Sequence, residues 1–151
     1  MSTENLSEVI DTTWYGSEAG REYLLRDMLE QYEIINDNEI VFLDTIPFYE
    51  PKYSILTYFA SDICLIPLRP NIVDVRRTIN MLLTLKRKLG RLIRNENELM
   101  SKFVLLFNMV KRKTVSERKI PDYARQIRNE VFTGLKIIDD VYIPDRESFK
   151  R

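Results

Sequence analysis

The sequence predicts an α/β fold, a mostly parallel sheet flanked by helices. Two observations carry this expectation. Short, near-continuous apolar runs of β-prone residues recur along the chain, each stopped by turn formers, and helical stretches stand between them. Strands that are apolar throughout, rather than alternating, are those of parallel sheets covered on both faces and linked by right-handed crossovers.

The elements follow in order. GREYLLRDMLEQYEII, about 20–35, sets Tyr23, Leu24, Met28, Leu29, Tyr32 and Ile35 at helical spacing, and Asn36-Asp37-Asn38 ends it. Ile40-Val41-Phe42-Leu43, stopped by Asp44-Thr45-Ile46-Pro47, reads as a buried strand with a loop at its carboxyl end. A helix over about 51–60 leads to a second strand, Ile63-Cys64-Leu65-Ile66, ended by Pro67 and Pro70. A long helix over 72–94 leads to a third, Phe103-Val104-Leu105-Leu106-Phe107. After a helix over 115–131, a fourth runs from Lys136-Ile137-Ile138 through Val141-Tyr142-Ile143 to Pro144. Ligands of parallel sheets collect at the carboxyl ends of strands. The stretches Asp44 to Pro47, Pro67 to Pro70, Asn108 to Thr114 and Pro144 to Arg146 are therefore the candidate site.

Composition narrows the chemistry. The 151 residues read as one domain over 1–151, without repeats or a linker. A chain of this size buries roughly 68–70% of its unfolded surface and needs no staple. There is no His and one Cys, which removes zinc and copper sites, disulfides, and Ser-His-Asp or Cys-His nucleophile pairs. The four glycines, at 16, 20, 90 and 134, spell neither G-x-x-x-x-G-K-[ST] nor G-x-G-x-x-G. Cys64 reads as a packed small hydrophobe and Trp14 as an aromatic anchor. No apolar run reaches the roughly 18 residues a bilayer needs, and the start MSTENLSEV lacks a signal peptide's pattern. No membrane partner and a cytoplasmic location are expected.

Charge is balanced in total and divided along the chain. Residues 1–50 hold 2 basic and 12 acidic side chains, and residues 51–151 hold 21 and 11. Such halves can pair within a monomer, pair between subunits, or offer the basic part to a polyanion. On the long helix, Ile72, Val75, Ile79, Leu82, Leu89 and Ile93 form one stripe, the expected core contact. Arg76, Arg77, Arg87, Lys88, Arg91 and Arg94 occupy the opposite side, with only Asp74 near them. Two readings stay open there: a solvated helix face, or a run of cations over roughly 27 Å that spans several phosphates of a duplex. Lys111-Arg112-Lys113 extends that surface if it folds nearby.

Taken together, four blocks resemble the ParA/Soj/MinD group of deviant P-loop ATPases, which partition plasmids and chromosomes or place division sites. VFLDTIP at 41–47 resembles the family's strand with Asp-Thr-Pro-Pro, and ASDICLIPLRP at 60–70 its Ala-x-Asp, strand, Pro-x-x-Pro block. LLFNMVKRKT at 105–114 is similar to the strand that ends in Asn before a basic loop, and VYIPDRESF at 141–149 to the last Ile-Pro segment. GREYLLRDMLEQY at 20–32 looks like the helix before the Asp strand, so the likeness covers about 20–149 and fades over 1–19. The resemblance implies an incomplete P-loop NTPase-like domain that binds ATP and Mg²⁺. Asp44 would hold the water shell of the Mg²⁺, and Thr45 to Pro47 would form the loop that senses the γ-phosphate. Asn108 would meet an adenine edge, with Pro144 and Asp145 across the base. On the residues alone, Asp44 also reads as a turn carboxylate satisfied by local N–H groups, and Asn108 as a loop-starting Asn.

The departures matter as much. Ile46 replaces the first Pro of the motif, Tyr58 stands near the family's Asn-Ala, and the first strand with its Lys-Gly-Gly-x-x-Lys-[Ser/Thr] loop has no counterpart. Without that loop nothing cradles phosphates, so ATP and Mg²⁺ are not expected to bind tightly, and the sheet is expected to carry an unpaired edge. Three functions compete. One is a ParA-like partition segment or degenerate paralogue, cytoplasmic or nucleoid-associated, which binds nonspecific DNA, a ParB-type or ParA-type protein, or both, as a homo- or hetero-dimer. Another is half of a split ATPase completed by a chain with the phosphate loop. The third is a nucleotide-free adaptor whose oppositely charged halves pair between subunits.

Overall fold

Each strand of the sheet lies parallel to its neighbour and is reached through helix. The computed structural model describes residues 20–37, 40–45, 51–93, 95–131 and 134–145. Two compact units divide the chain, Met1–Asp62 and Ile63–Arg151. The charge division follows the same boundary, with a net −10 on residues 1–62 and +10 on residues 63–151.

The first unit is helical. A 3-10 turn, Arg21–Tyr23, runs into α1 (Leu24–Gln31), and α2 (Ile34–Asp37) and α3 (Pro51–Ala60) follow. Pro51 opens α3, where its missing N–H costs nothing. Leu29 of α1 and Ile55, Leu56, Tyr58 and Phe59 of α3 are buried. The Tyr23 ring meets Phe59 edge-on, centroids 4.9 Å apart, and Tyr58 meets Phe59 likewise at 5.4 Å. Tyr58 is thus a core residue. The expected single helix over 20–35 is interrupted, because Glu33 adopts φ 57 and its N–H turns back to the Glu30 carbonyl at 3.0 Å. The expected strand Ile40–Leu43 does not form: residues 40–45 have no regular structure, and Ile40 and Phe42 are 72% and 90% exposed. Apolar, β-prone residues make a strand only where another strand completes the ladder.

The second unit is β1 (Cys64–Leu68), α4 (Ile72–Leu89), α5 (Glu96–Ser101), β2 (Phe103–Val110), α6 (Val115–Arg118), α7 (Ile120–Val131) and β3 (Lys136–Pro144), with strand order β1-β2-β3. Register runs Cys64 with Phe103 to Leu68 with Phe107, and Val104 with Lys136 to Leu106 with Ile138. Pro67 does not stop β1 as expected, since an edge strand tolerates a residue without an N–H. The long helix expected to reach residue 94 ends at Leu89. The chain tightens there, Leu92 N–H bonding the Leu89 carbonyl at 2.8 Å, and Asn95 caps α5 through the N–H groups of Asn97 and Glu98. Ile93 therefore lies beyond the helix, and Ile72, at its start, is exposed.

The helices cover one face of the sheet. Val75, Ile79, Leu82, Leu85 and Leu89 of α4 and Ile120, Ala124, Ile127 and Val131 of α7 are buried with Leu68, Phe103, Leu105, Phe107, Val110 and Ile137 of the strands. Strand order has a direct consequence here. Crossovers of one hand that always step the same way, β1 to β2 to β3, lay their helices on the same face, and only a reversal of order brings helices to the other. On the second face no helix of this unit packs among the described residues, with Ile63 and Leu65 65% and 55% exposed and Val104, Leu106 and Ile138 half-buried. The expectation of two covered faces is met on one.

Candidate functional site

The carboxyl ends of the three strands gather the second unit's candidate residues. Leu68 leads through Arg69 and Pro70 to Asn71, the N-cap of α4; its side chain accepts the Asp74 N–H at 2.9 Å and donates to the Asp74 carboxylate at 2.8 Å. Asp74 is therefore turned to the cap. Val110 is paired with Pro144, and its carbonyl accepts the Asp145 N–H at 3.0 Å, which carries the ladder one step past β3.

Between those points β2 bulges. Between the Phe107–Tyr142 and Val110–Pro144 pairs, β2 advances three residues while β3 advances two. Met109 takes up the difference at φ 56, and the Asn108 side-chain oxygen accepts the Met109 N–H at 2.8 Å. A non-Gly residue in this region costs roughly 1–3 kcal/mol, and an Asn beside it supplies a local compensating bond. Asn108, Pro144 and Asp145 are thus brought together on adjoining strands, all half-buried, with the Asn108 acceptor engaged by the bulge.

The loop that follows is basic and firmly bonded. Lys111, Arg112 and Lys113 are exposed, and Lys113 is a second left-handed residue at φ 60. Thr114 Oγ1 donates to the Lys111 carbonyl at 2.6 Å, and Glu117 Oε2 accepts the Lys113 N–H at 2.5 Å. The other Glu117 oxygen accepts the hydroxyl of Tyr142 on β3. That hydroxyl, then the Lys113 N–H, then Arg112 and Arg118 hold the Glu117 carboxyl below the usual carboxylate range. The same bond pushes the Tyr142 hydroxyl above its ordinary value. Sequence reasoning missed this pair. The spacing Thr114-Val115-Ser116-Glu117 does match a capping box, a signal for Glu117, whereas nothing local points to Tyr142, 25 residues on.

The helix cations divide into two groups. α4 starts at the carboxyl edge of the sheet and runs back toward the amino edge, so Arg76 and Arg77 lie nearer the Lys111–Lys113 loop and Arg87 and Lys88 lie at the far end. From Arg76 to Lys88 the helix spans about 18 Å at 1.5 Å per residue. Arg91 is exposed in the turn beyond it, and Arg94 lies outside the described residues. Among the described residues no ion pair joins Arg76, Arg77, Arg87, Lys88 or Arg91 to a carboxylate. The chain matches no family model, no curated protein and no solved structure.

The remaining candidates belong to the first unit. Asp44 and Thr45 are exposed in its irregular stretch, and Pro47 lies outside the described residues. Among the described residues no three His, Cys, Asp or Glu are grouped to hold a metal. Asp44 is thus an exposed carboxylate in an irregular stretch, and the sequence holds no glycine-rich phosphate turn. Cys64 is half-buried, and burial pushes its thiol up to about 11. A thiol so protonated at neutral pH is a poor nucleophile. Among the described residues no helix is long and apolar enough to cross a membrane.

Proposed function

We propose that the chain is a ParA-like partition-protein segment or degenerate relative whose work is binding, to nonspecific duplex DNA and to a partner ATPase, without ATPase activity of its own. The observation that carries this reading is the set of cations on the outer side of α4, with Arg76, Arg77 and Arg87 exposed, Lys88 half-buried and Arg91 exposed beyond, none of them ion-paired among the described residues. Solubility needs charges of both signs, whereas a phosphate backbone needs one sign held along a rigid rod. The Lys111–Lys113 loop adds cations near the Arg76 end. Binding of this kind releases counterions, so affinity falls steeply with salt, by about 0.9 in logarithmic slope for each phosphate neutralised.

The test is binding of the full chain to a random-sequence duplex between low and moderate salt. Replacing Arg87, Lys88 and Arg91 together by Ala should weaken binding and flatten the slope by up to about 2.7. Binding unchanged by the triple replacement rules out the helix as the contact.

A second reading, a protein–protein adaptor, is supported by a different observation: the −10 and +10 charges fall on separate compact units. Opposite charges on separable units favour pairing between copies. It requires weak retention on duplex DNA together with a dimer that salt dissociates.

A further inference from the structure

We infer that Tyr142 and Glu117 form a latch that sets the conformation of the basic Lys111–Lys113 loop and, through it, the loop's contact with a polyanion. The second half of this inference rests on the DNA-binding reading above; the first half stands on geometry alone.

The loop begins and ends with residues that resist its shape. Met109 and Lys113 both adopt left-handed backbone, which side chains with a Cβ avoid. Such conformations persist only where surrounding bonds over-determine them. At Lys113 the restraint is Glu117, whose Oε2 takes the Lys113 N–H at 2.5 Å. Glu117 sits on α6, a helix of four residues that provides little rigidity itself. The rigid partner is the sheet. Tyr142 stands where β3 regains register with Phe107 after its irregularity, and its hydroxyl donates to the other Glu117 oxygen. One carboxylate thus ties the loop backbone to β3.

Arg112 belongs to the same cluster, its charge acting on both Glu117 and Tyr142. The latch therefore shapes the backbone that presents the loop's cations. A binding loop ordered in advance loses less freedom on association. Cutting the latch should weaken polyanion binding without removing a single cation. Simple electrostatics makes the opposite forecast for Glu117, since deleting an anion beside a basic loop should tighten binding.

The opposing signs make the experiment decisive. Full-length Tyr142→Phe, which keeps the ring, and Glu117→Gln, which keeps the shape, are compared with the unmodified chain by two readouts. The first is hydrogen exchange of the Lys113 amide in protein whose unfolding remains cooperative; both variants should exchange about fivefold faster or more. The second is affinity for a 30-base-pair random duplex across a salt series; both should bind more weakly by about threefold or more, with the salt slope unchanged. Unaltered Lys113 exchange in both folded variants overturns the latch. Faster exchange with equal or tighter DNA binding overturns the coupling of latch to contact. If the unmodified chain shows no DNA binding at low salt, the DNA reading falls and the coupling with it, while Lys113 exchange still decides the latch.

Discussion

Arg128 of α7 reaches Asp139 of β3, guanidinium to carboxylate, across 3.0 Å. Asp139 is the first of the residues by which β3 outruns β2, since Ile138 pairs with Leu106 and Tyr142 already pairs with Phe107. The ion pair fastens the irregular part of β3 to the helix that precedes it. Its side chains keep 48% and 32% of their exposure, so water screens the attraction. A double-mutant cycle with Arg128→Ala and Asp139→Ala in urea should give a coupling of about 0.5 kcal/mol, shrinking with salt.

The two faces of the sheet should respond differently to truncation. Leu105 is fully buried on the helix-covered face, and Leu105→Ala should cost about 2–5 kcal/mol. Leu65, one strand over on the other face, is 55% exposed, and Leu65→Ser should cost less than about 1 kcal/mol. Equal losses in chemical denaturation would mean that the second face is covered after all.

Gly134 is required twice over. It adopts φ 91, and a Cβ there would stand 2.9 Å from the Asn97 carbonyl oxygen of α5. Gly134→Ala should therefore lower stability by more than about 1 kcal/mol. Gly20 makes the useful contrast, with φ 77 but open space around it, so Gly20→Ala should show the backbone cost alone. A thermal melt of each variant separates the two contributions.

Cys64 gives a pH signature. Its folded thiol titrates near 11 against an ordinary value of 9.0, so between those values the folded chain holds a proton the unfolded chain has released. The sign follows: this group's contribution to stability is complete below about pH 9 and is lost as pH rises toward 11. Alkylation of the native protein should be slow at pH 8 and accelerate toward pH 11. Rapid labelling at pH 8 in folded protein would show the thiol to be accessible and unshifted.

Some elements could be read directly from neighbouring residues. The helix over 51–60, the apolar stripe Val75, Ile79, Leu82 and Leu89, and the run Phe103 to Phe107 all appear where expected, because helical periodicity and β-prone apolar runs are short-range properties. The parallel α/β character of the second unit follows from that alternation. Of the candidate site, Asn108 was expected to start a loop after Phe107 but lies inside β2, which runs on to Val110, while Pro144 ends β3 and Asp145 follows it.

What only the tertiary structure decided lies between residues far apart in sequence. Ile40–Leu43 has every local mark of a strand and is none, since a strand exists only with a neighbour to bond. Pro67 is a breaker by local chemistry and sits inside β1, since an edge has one side without a ladder. Which face of the sheet is covered follows from the order of the strands, a property no single segment holds. Glu117 and Tyr142 meet for the same reason: α6 and β3 are set by separate local rules, and the sheet's register brings one carboxylate and one hydroxyl together at its edge. Local propensity thus determined the elements, and long-range hydrogen bonding and burial decided which of them pair and what stands at their ends.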